Sequence, residues 1–528
     1  MTGMPMLFAL LLSWFLHSQT KSDSAPSSQF IVELTRQQYP LFVDAMRDVR
    51  YDLERIHPAI DYYRLRVRDF DIEELHRFRV EGMLKRWQHD RRVEPRNTPN
   101  DPLFGNQWDM TRIGMTEAWN QTTGGVTVEG DAIVVAILDT GFDDDHEDLQ
   151  QNIWVNADEI PGDGLDNDQN GYIDDYRGVN VKTGDDAHPN DTHGTAIAGI
   201  IGARGSNAKG ICGVNWDVRL LLISGIQNES DIIEGYAYAK ALREKYASTG
   251  GSQGAFIVAT NLSAGIDNGL PEDHQIWCDQ YESLGDAGIL GICSTTNANT
   301  DVDVDGDMPT TCPSAYLIAV TNTDMSDTKL VFAGYGAIHI DLGAPGTPTL
   351  TTDIFNGYED FEGTSAAAPH VAGAIALLYA AACPSVLELV SSNPGALALQ
   401  MKNLLLENTD QIESLQDITV SGGRLNVAKS VGALVELCDI PIDDLEIRRI
   451  IPNPVFDETL IEYNIPDLNP YEINLYDSAG RLLLQETPAL TIPGIQTYRL
   501  RMPSLVPGVY YVSLIHRDNV ASATLLVQ

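Results

Sequence analysis

Between residues 105 and 436 one pattern recurs: a short run of consecutive apolar residues, a turn marked by Gly, Asn or Asp, then a longer stretch with helical spacing. The apolar runs are "DAIVVAILDTG", "VRLLLIS", "AFIVATNLS", "GILGICSTTN" and "YLIAVTNT", and "SDIIEGYAYAKALREKY" is one of the intervening helices. Strands without strict alternation are apolar on both faces. Separated by helices, they predict an α/β fold, a parallel sheet flanked by helices on both sides. In such a sheet, chemistry collects at the carboxyl ends of the strands.

The flanks follow other rules. In residues 28–96 "QFIVEL" is strand-like, "DIEELHRFRVEGMLKRW" has helical periodicity and arginines are interspersed, which predicts a small α+β unit. "RRVEPRNTPNDPLFG" then forms a polar linker rich in Pro and Asn, which puts a cut point at the end of the small unit. After "PIDDLEIRRIIPNP" the alternation has period two. Ile461, Tyr463 and Ile465 share one face, "YEINLYDSAGRLLLQ" reads as a hairpin around Gly480, and "PGVYYVSLI" is another strand. Residues 445–528 are therefore expected to form a β-sandwich. At the other end, residues 1–25 hold an apolar core of about a dozen residues, too short to span a bilayer but suited to a signal peptide.

Charge narrows the partners. The 528 residues carry a net charge of −41. Residues 1–96 hold 15 of the 34 basic and 14 of the 75 acidic side chains, so nearly all the excess lies downstream. Such a surface repels phosphate backbones and argues against nucleic acid as a partner. It suits saline surroundings or cation binding. Six cysteines in an exported chain allow disulfides, with 15 possible connectivities, or buried thiols.

In "GTSAAAPHVAG", residues 363–373, Ser365 and His370 lie five positions apart in a run of small residues. Five residues turn a helix by about 500°, so the two side chains do not meet. His370 reads as a packed helix residue, and a nucleophilic Ser365 needs its base elsewhere. "DTHGTAIAGIIGA" supplies His193 at the start of another small-residue helix, and "VVAILDTGFDDDHEDL" supplies Asp139 where a buried strand ends. A lone His or Asp means little. Together, in the order Asp, His, Ser, they form an orienting acid, a base and a nucleophile.

The motifs "AILDTG", "HGTAIAG" and "GTSAAAPHVAG" resemble those of the subtilisin-like serine proteases over roughly residues 105–436. The resemblance implies a subtilisin-like sheet and a serine endopeptidase acting on proteins or peptides. Asp139 would orient His193, His193 would take the proton, and Ser365 would attack. Asn297, in "GICSTTNAN", falls where the family keeps its oxyanion-binding amide. Ser263, Ala264 and Gly265 would edge the primary specificity pocket. Ala366, Ala196 and Thr296 depart from the family's Met, His and Gly without removing a group the chemistry needs. The resemblance also makes residues 28–96 an inhibitory propeptide, a partner of the enzyme it precedes, and implies a zymogen cut between about Arg91 and Asn100. "IPNPVFDETLIEYNI", "LYDSAGRLL" and "LVPGVYYVSL" resemble the C-terminal sorting domain of the type IX route. That implies engagement of outer-membrane secretion machinery, with the product secreted or on the cell surface. The alternative is a surface adhesin or scaffold that keeps the fold without turnover.

For a metal, "DGLDNDQNGYIDD" is dense in oxygen ligands. Asp166, Asp168, Asn170 and Gly171 match the first half of an EF-hand loop, but its twelfth position is Arg177. Asp174 or Asp175 would have to complete the shell around a structural calcium. Asp148 matches a calcium-binding position of many family members. His146 and His188 have no ligand spacing and read as exposed.

Overall fold

The five apolar runs become the middle of one sheet. In the computed structural model this sheet contains β5 (Ile133–Leu138), β6 (Gly178–Asn180), β7 (Arg219–Ser224), β8 (Phe256–Leu262), β10 (Leu290–Ser294), β12 (Leu317–Asp324), β13 (Leu342–Thr347), β16 (Asp410–Gln411) and β17 (Gly423–Arg424). The order is β16-β17-β13-β12-β10-β8-β5-β7-β6, parallel throughout except for β16 against β17. Every residue of β5, β8 and β10 is buried. Ile133, Val135 and Ile137 enter one apolar core and Val134, Ala136 and Leu138 another. A strand serving two cores has no polar face, which is why the runs do not alternate.

The helices Thr192–Gly202 and Thr364–Ala381 pack in the first core, and Glu229–Thr249 and Gln275–Asp286 in the second. Small side chains in the first pair allow close approach: a Cβ on Gly373 would sit 2.7 Å from Val214 Cβ. From β5 the chain builds outward in both directions, to β7 on one side and β8 on the other. The carboxyl end of β5 is thus a switch point, where such sheets open a crevice.

The structure describes residues 28–47, 49, 51–67, 72–90, 97–438, 445–456, 458–465, 471–488, 494–501, 505–516 and 519–527. The expected signal peptide and most of the expected cut region lie outside them. Residues 1–94 and 95–528 are separate compact units. In the first, β1 (Ser28–Glu33), β2 (Tyr51–Arg55), β3 (Tyr62–Val67) and β4 (Arg86–His89) pair in the order β2-β3-β1-β4. Phe30, Val32 and Leu65 from the sheet pack on Phe42 and Phe78 from its two helices. The helix expected through Trp87 stops at Val80, because Gly82 turns the chain at φ 74° and residues 86–89 join the sheet as β4.

At the other end, β18 (Glu446–Ile451), β19 (Glu458–Ile465) and β22 (Gly494–Arg501) form one antiparallel sheet. The second contains β20 (Tyr471–Asp477), β21 (Leu482–Glu486), β23 (Gly508–His516) and β24 (Asn519–Val527). Ile461, Tyr463 and Ile465 from the first share a core with Ile473, Val512 and Leu514 from the second, a sandwich arrangement. Gly480, at φ 79°, makes the turn between β20 and β21.

Disulfides join Cys278 to Cys312 and Cys383 to Cys438, while Cys212 and Cys293 are buried thiols.

Candidate active site

Asp139 follows directly on the last residue of β5, with 5 % of its surface exposed. His193 is the second residue of the helix Thr192–Gly202, whose Asp191 cap accepts the His193 backbone N–H at 2.8 Å. The imidazole Nδ1 lies 2.9 Å from Asp139 Oδ2 and 3.0 Å from Oδ1. Two carboxylate oxygens around Nδ1 assign the proton there and leave Nε2 as an acceptor. Gly194 makes the pairing possible: a Cβ there would meet Gly141 O at 2.1 Å and Asp139 Cβ at 3.0 Å. The ring edge packs on Phe361, with centroids 5.5 Å apart. Burial pulls the His193 pKa down, but the Asp139 hydrogen bond and charge, with Asp191, together outweigh it and hold the pKa above the usual value.

Ser365 is the second residue of the helix Thr364–Ala381, which starts from Gly363 at φ 118°, a conformation only glycine adopts freely. Pro369 shapes its surroundings. Having no N–H, Pro369 leaves the Ser365 carbonyl without its i+4 donor, and the Ser263 hydroxyl donates to that carbonyl at 3.2 Å instead. The Ser365 hydroxyl donates back to Ser263 O at 3.3 Å. It makes no hydrogen bond to His193 among the described residues.

Asn297, exposed beyond the end of β10, is held from one side only. The Thr364 amide donates to Asn297 Oδ1 at 3.0 Å, and the Thr364 hydroxyl lies between that oxygen and Thr295 O. This assigns oxygen and nitrogen in the amide and leaves the Nδ2 protons to donate elsewhere. Ser263, Ala264, Gly265, Asn297 and Ser365 line one cavity of about 160 Å³. The structure therefore brings Asp139 to His193, and Ser365 to Asn297 and the Ser263–Gly265 edge.

His370 is apart from this site. Its Nδ1 bonds Ala366 O at 2.9 Å and its Nε2 lies 3.0 Å from Asp109 Oδ2, all fully buried. His146, expected at the surface, is fully buried, because Gly357 O accepts from its Nε2 and Tyr358 covers its ring. His188 is half-buried and bonds the Ser224 hydroxyl.

The acidic loop is arranged differently from an EF-hand. Glu159, Asp168 and Asp175 each offer an oxygen within 4.8 Å of the others. Asp175 completes the group and Asp174 does not. Asp174 accepts the N–H groups of Asp163 and Gly164, and Asp166 accepts those of Asn170 and Gly171, so both are spent on folding the loop. The Asn170 amide donates to Asp175. Glu159, which no spacing rule pointed to, accepts the Asn167 and Asp168 amides through Oε1, while its buried Oε2 has no partner among the described residues. Lys245 supplies one cation, 3.1 Å from Asp168. Burial pushes the Asp175 carboxyl up against the donors Tyr238 and Asn170, and the charges of Asp168 and Glu159 add to the rise. An orphaned buried oxygen beside two more carboxylates fits a hard divalent cation. Asp148 lies elsewhere, buried, with its oxygens taken by Asn207, Ile211 and Tyr358.

Residues 130–432, more than half of the chain, match the Subtilase family. The chain belongs to that family. Residues 449–528 match the secretion system C-terminal sorting domain. Among relatives of this subtilase, subtilisin-like protease 1 of Plasmodium berghei is 25 % identical over 417 residues, covering 74 % of this chain and 63 % of its own length. Thermitase of Thermoactinomyces vulgaris is 29 % identical over 286 residues, covering 53 % of this chain and 85 % of its own. A protease of Pseudoalteromonas arctica of known structure is 24 % identical with a TM-score of 0.48, covering 64 % of this chain and 100 % of its own. The chain spans about half to under two thirds of the length of the Plasmodium relatives, from 48 % to 63 %.

Proposed function

We propose that this subtilase is an exported serine endopeptidase, made with an inhibitory propeptide at 28–96 and a catalytic domain at 105–436. The observation that carries the reading is the division of labour around Ser365. Asp139 fixes the His193 tautomer with Nε2 free, and Thr364 fixes Asn297 with its amide protons free. On rotation about χ1 the Ser365 hydroxyl passes its proton to His193 Nε2 as Oγ attacks the scissile carbonyl. The oxyanion then accepts hydrogen bonds from Asn297 Nδ2 and the Ser365 N–H. Collapse breaks the C–N bond, and His193 returns the proton to the leaving amine. Water, deprotonated by the same imidazole, releases the acyl group from Ser365. Ser263, Ala264 and Gly265 hold the substrate chain beside the nucleophile.

Calcium is proposed for Glu159, Asp168 and Asp175, where it would neutralise crowded charge and brace the loop. Asp148 remains a proposed second position. The match at 449–528 supports delivery through outer-membrane secretion machinery to the cell surface or medium.

A fluorophosphonate probe on the secreted protein tests the reading. Ser365 should be labelled and Ser365→Ala should not. The variant should also accumulate with residues 28–96 attached, because the protein would process itself. Normal processing and casein cleavage by Ser365→Ala in a protease-free host would overturn the assignment.

A further inference from the structure

The cavity beside Ser365 has a carboxylate in its wall. Asp307 begins the two-residue strand β11 (Asp307–Met308), which pairs antiparallel with β9 (Ile266–Asp267) so that Asp307 faces Asp267 in register. β9 directly continues the Ser263–Gly265 edge. Gly265 is required there, because a Cβ would fall 2.1 Å from Met308 O. The pairing therefore delivers two acidic residues to the cavity lined by Ser365 and Asn297.

Asp307 is 3 % exposed, and its two oxygens are treated unequally. Oδ2 accepts from the Thr295 hydroxyl at 2.8 Å, the Thr310 hydroxyl at 2.7 Å and the Thr296 amide at 3.0 Å. Oδ1 accepts from no described residue. Three donors lock the carboxylate in place while half of it stays unengaged, and no Lys or Arg of the described chain pairs with it. A buried carboxylate without a cation is costly and is met either by protonation or by a positive partner. Burial pushes the Asp307 pKa up to about 6 against those three donors, and Asp267 adds to the rise, so at neutral pH the group is mostly ionised.

We propose that Asp307, with Asp267 at the rim, makes the specificity pocket select a lysine or arginine immediately before the scissile bond. This rests on the endopeptidase reading above. The cavity, about 160 Å³, takes one extended side chain, whose apolar stem would lie along Ala264 and Met308 while its charged end meets Asp307 Oδ1.

The chain carries its own candidate substrate. The junction after the first compact unit reads "HDRRVEPRNTPN", with Arg91, Arg92 and Arg96 in six residues. Asn97, next after Arg96, is anchored to the larger unit: its amide N–H donates to Asn120 Oδ1 and its side chain to Trp119 O, both at 2.8 Å. A cut after Arg96 would leave the new terminus on a residue already held. Downstream of residue 96 the 61 acidic against 19 basic side chains also draw cationic peptides in.

The test compares kcat/KM on peptides identical except for Lys, Arg, Leu, Phe or Gln before the cleaved bond, using the processed protein. The basic residues should exceed Leu and Phe by at least tenfold. The ratio should fall at least tenfold in Asp307→Asn, and less in Asp267→Asn. A ratio is insensitive to general damage, so a poorly folded variant does not blur the result. Edman sequencing of the processed protein should begin at Val93 or Asn97. If Ser365 is labelled and Leu or Phe is preferred, the acidic-pocket inference fails while the protease reading stands. If no peptide is cut and Ser365 is not labelled, the protease reading itself fails. A basic preference unchanged in Asp307→Asn would overturn the role of Asp307.

Discussion

If the calcium proposed for the pocket of Glu159, Asp168 and Asp175 is bound there, removing it has a cost that follows from spacing. One oxygen from each lies within 4.8 Å of the others. At that distance two unit charges repel by about 3 kcal/mol at an effective dielectric near 20, and about 1 kcal/mol in water. Three carboxylates make three such pairs, and Lys245 compensates one of the three charges. The empty pocket therefore costs a few kcal/mol, and a bound divalent ion turns that repulsion into attraction. An ion held only by the folded state adds about 2.7 kcal/mol at a hundredfold excess over Kd. At about 2.1 cal/mol/K of unfolding entropy per residue, each kcal/mol is worth about 1.5 °C in a domain of roughly 330 residues, so chelation should lower Tm by about 4 °C. The assay is thermal unfolding of Ser365→Ala protein, which does not digest itself, in chelator at low ionic strength and after adding calcium, magnesium or sodium. Calcium should restore the melting temperature and sodium should restore little. Asp175→Asn should remove more than half of the calcium-dependent shift. A melting curve indifferent to chelator refutes the reasoning. A full calcium shift surviving in Asp175→Asn refutes the location and directs attention to Asp148.

Two further predictions concern the chemistry. The folded His193 pKa is raised, so the pair with Asp139 stabilises the protein fully below the usual value of about 6.5 and that contribution is lost as pH rises through the raised value. The proposed catalysis needs the neutral ring, so the acid limb of kcat/KM should lie above about 6.5, and Asp139→Asn should cost about 10⁴-fold in kcat; a limb well below that value would contradict the pairing. Asn297→Ala should lower kcat by about 10²–10³-fold with little change in KM; an effect confined to KM would make Asn297 a substrate contact rather than an oxyanion donor.

The sheet was legible because a strand buried on both faces has no freedom to be polar, so Ile133–Leu138 and Phe256–Leu262 announce themselves. Asp139, His193 and Ser365 stand out in the sequence for a related reason. Each sits beside small residues that close packing demands, as Gly194 does against Gly141. Glu159 was not, since its place beside Asp168 and Asp175 depends on how the loop folds. His146 stands among acids that suggest solvent, yet the distant hairpin of β14 (Thr349–Asp353) and β15 (Gly357–Phe361) covers it. Asp307 is one of several aspartates in "DVDVDGDM", and only its pairing with Asp267 sets it in the cavity wall. Helical periodicity ran on through Trp87 although Gly82 had already ended the helix. The cysteines carry no mark of which pair meets.

The bridge from Cys383 to Cys438 has a mechanical consequence. Cys383 stands just past the central helix that begins at Ser365's turn, and Cys438 ends the last helix before the chain runs on to the sandwich. If the sandwich is anchored to a surface, tension on the enzyme enters at Cys438. Without the bridge it would peel the helix Val427–Cys438 away turn by turn. With it, the load passes through sulfur to the end of the most deeply packed helix in the molecule, where it is shared by the whole core. A reduced protein under flow or shear should shed activity sooner than an oxidised one, by a larger margin than the two differ at rest.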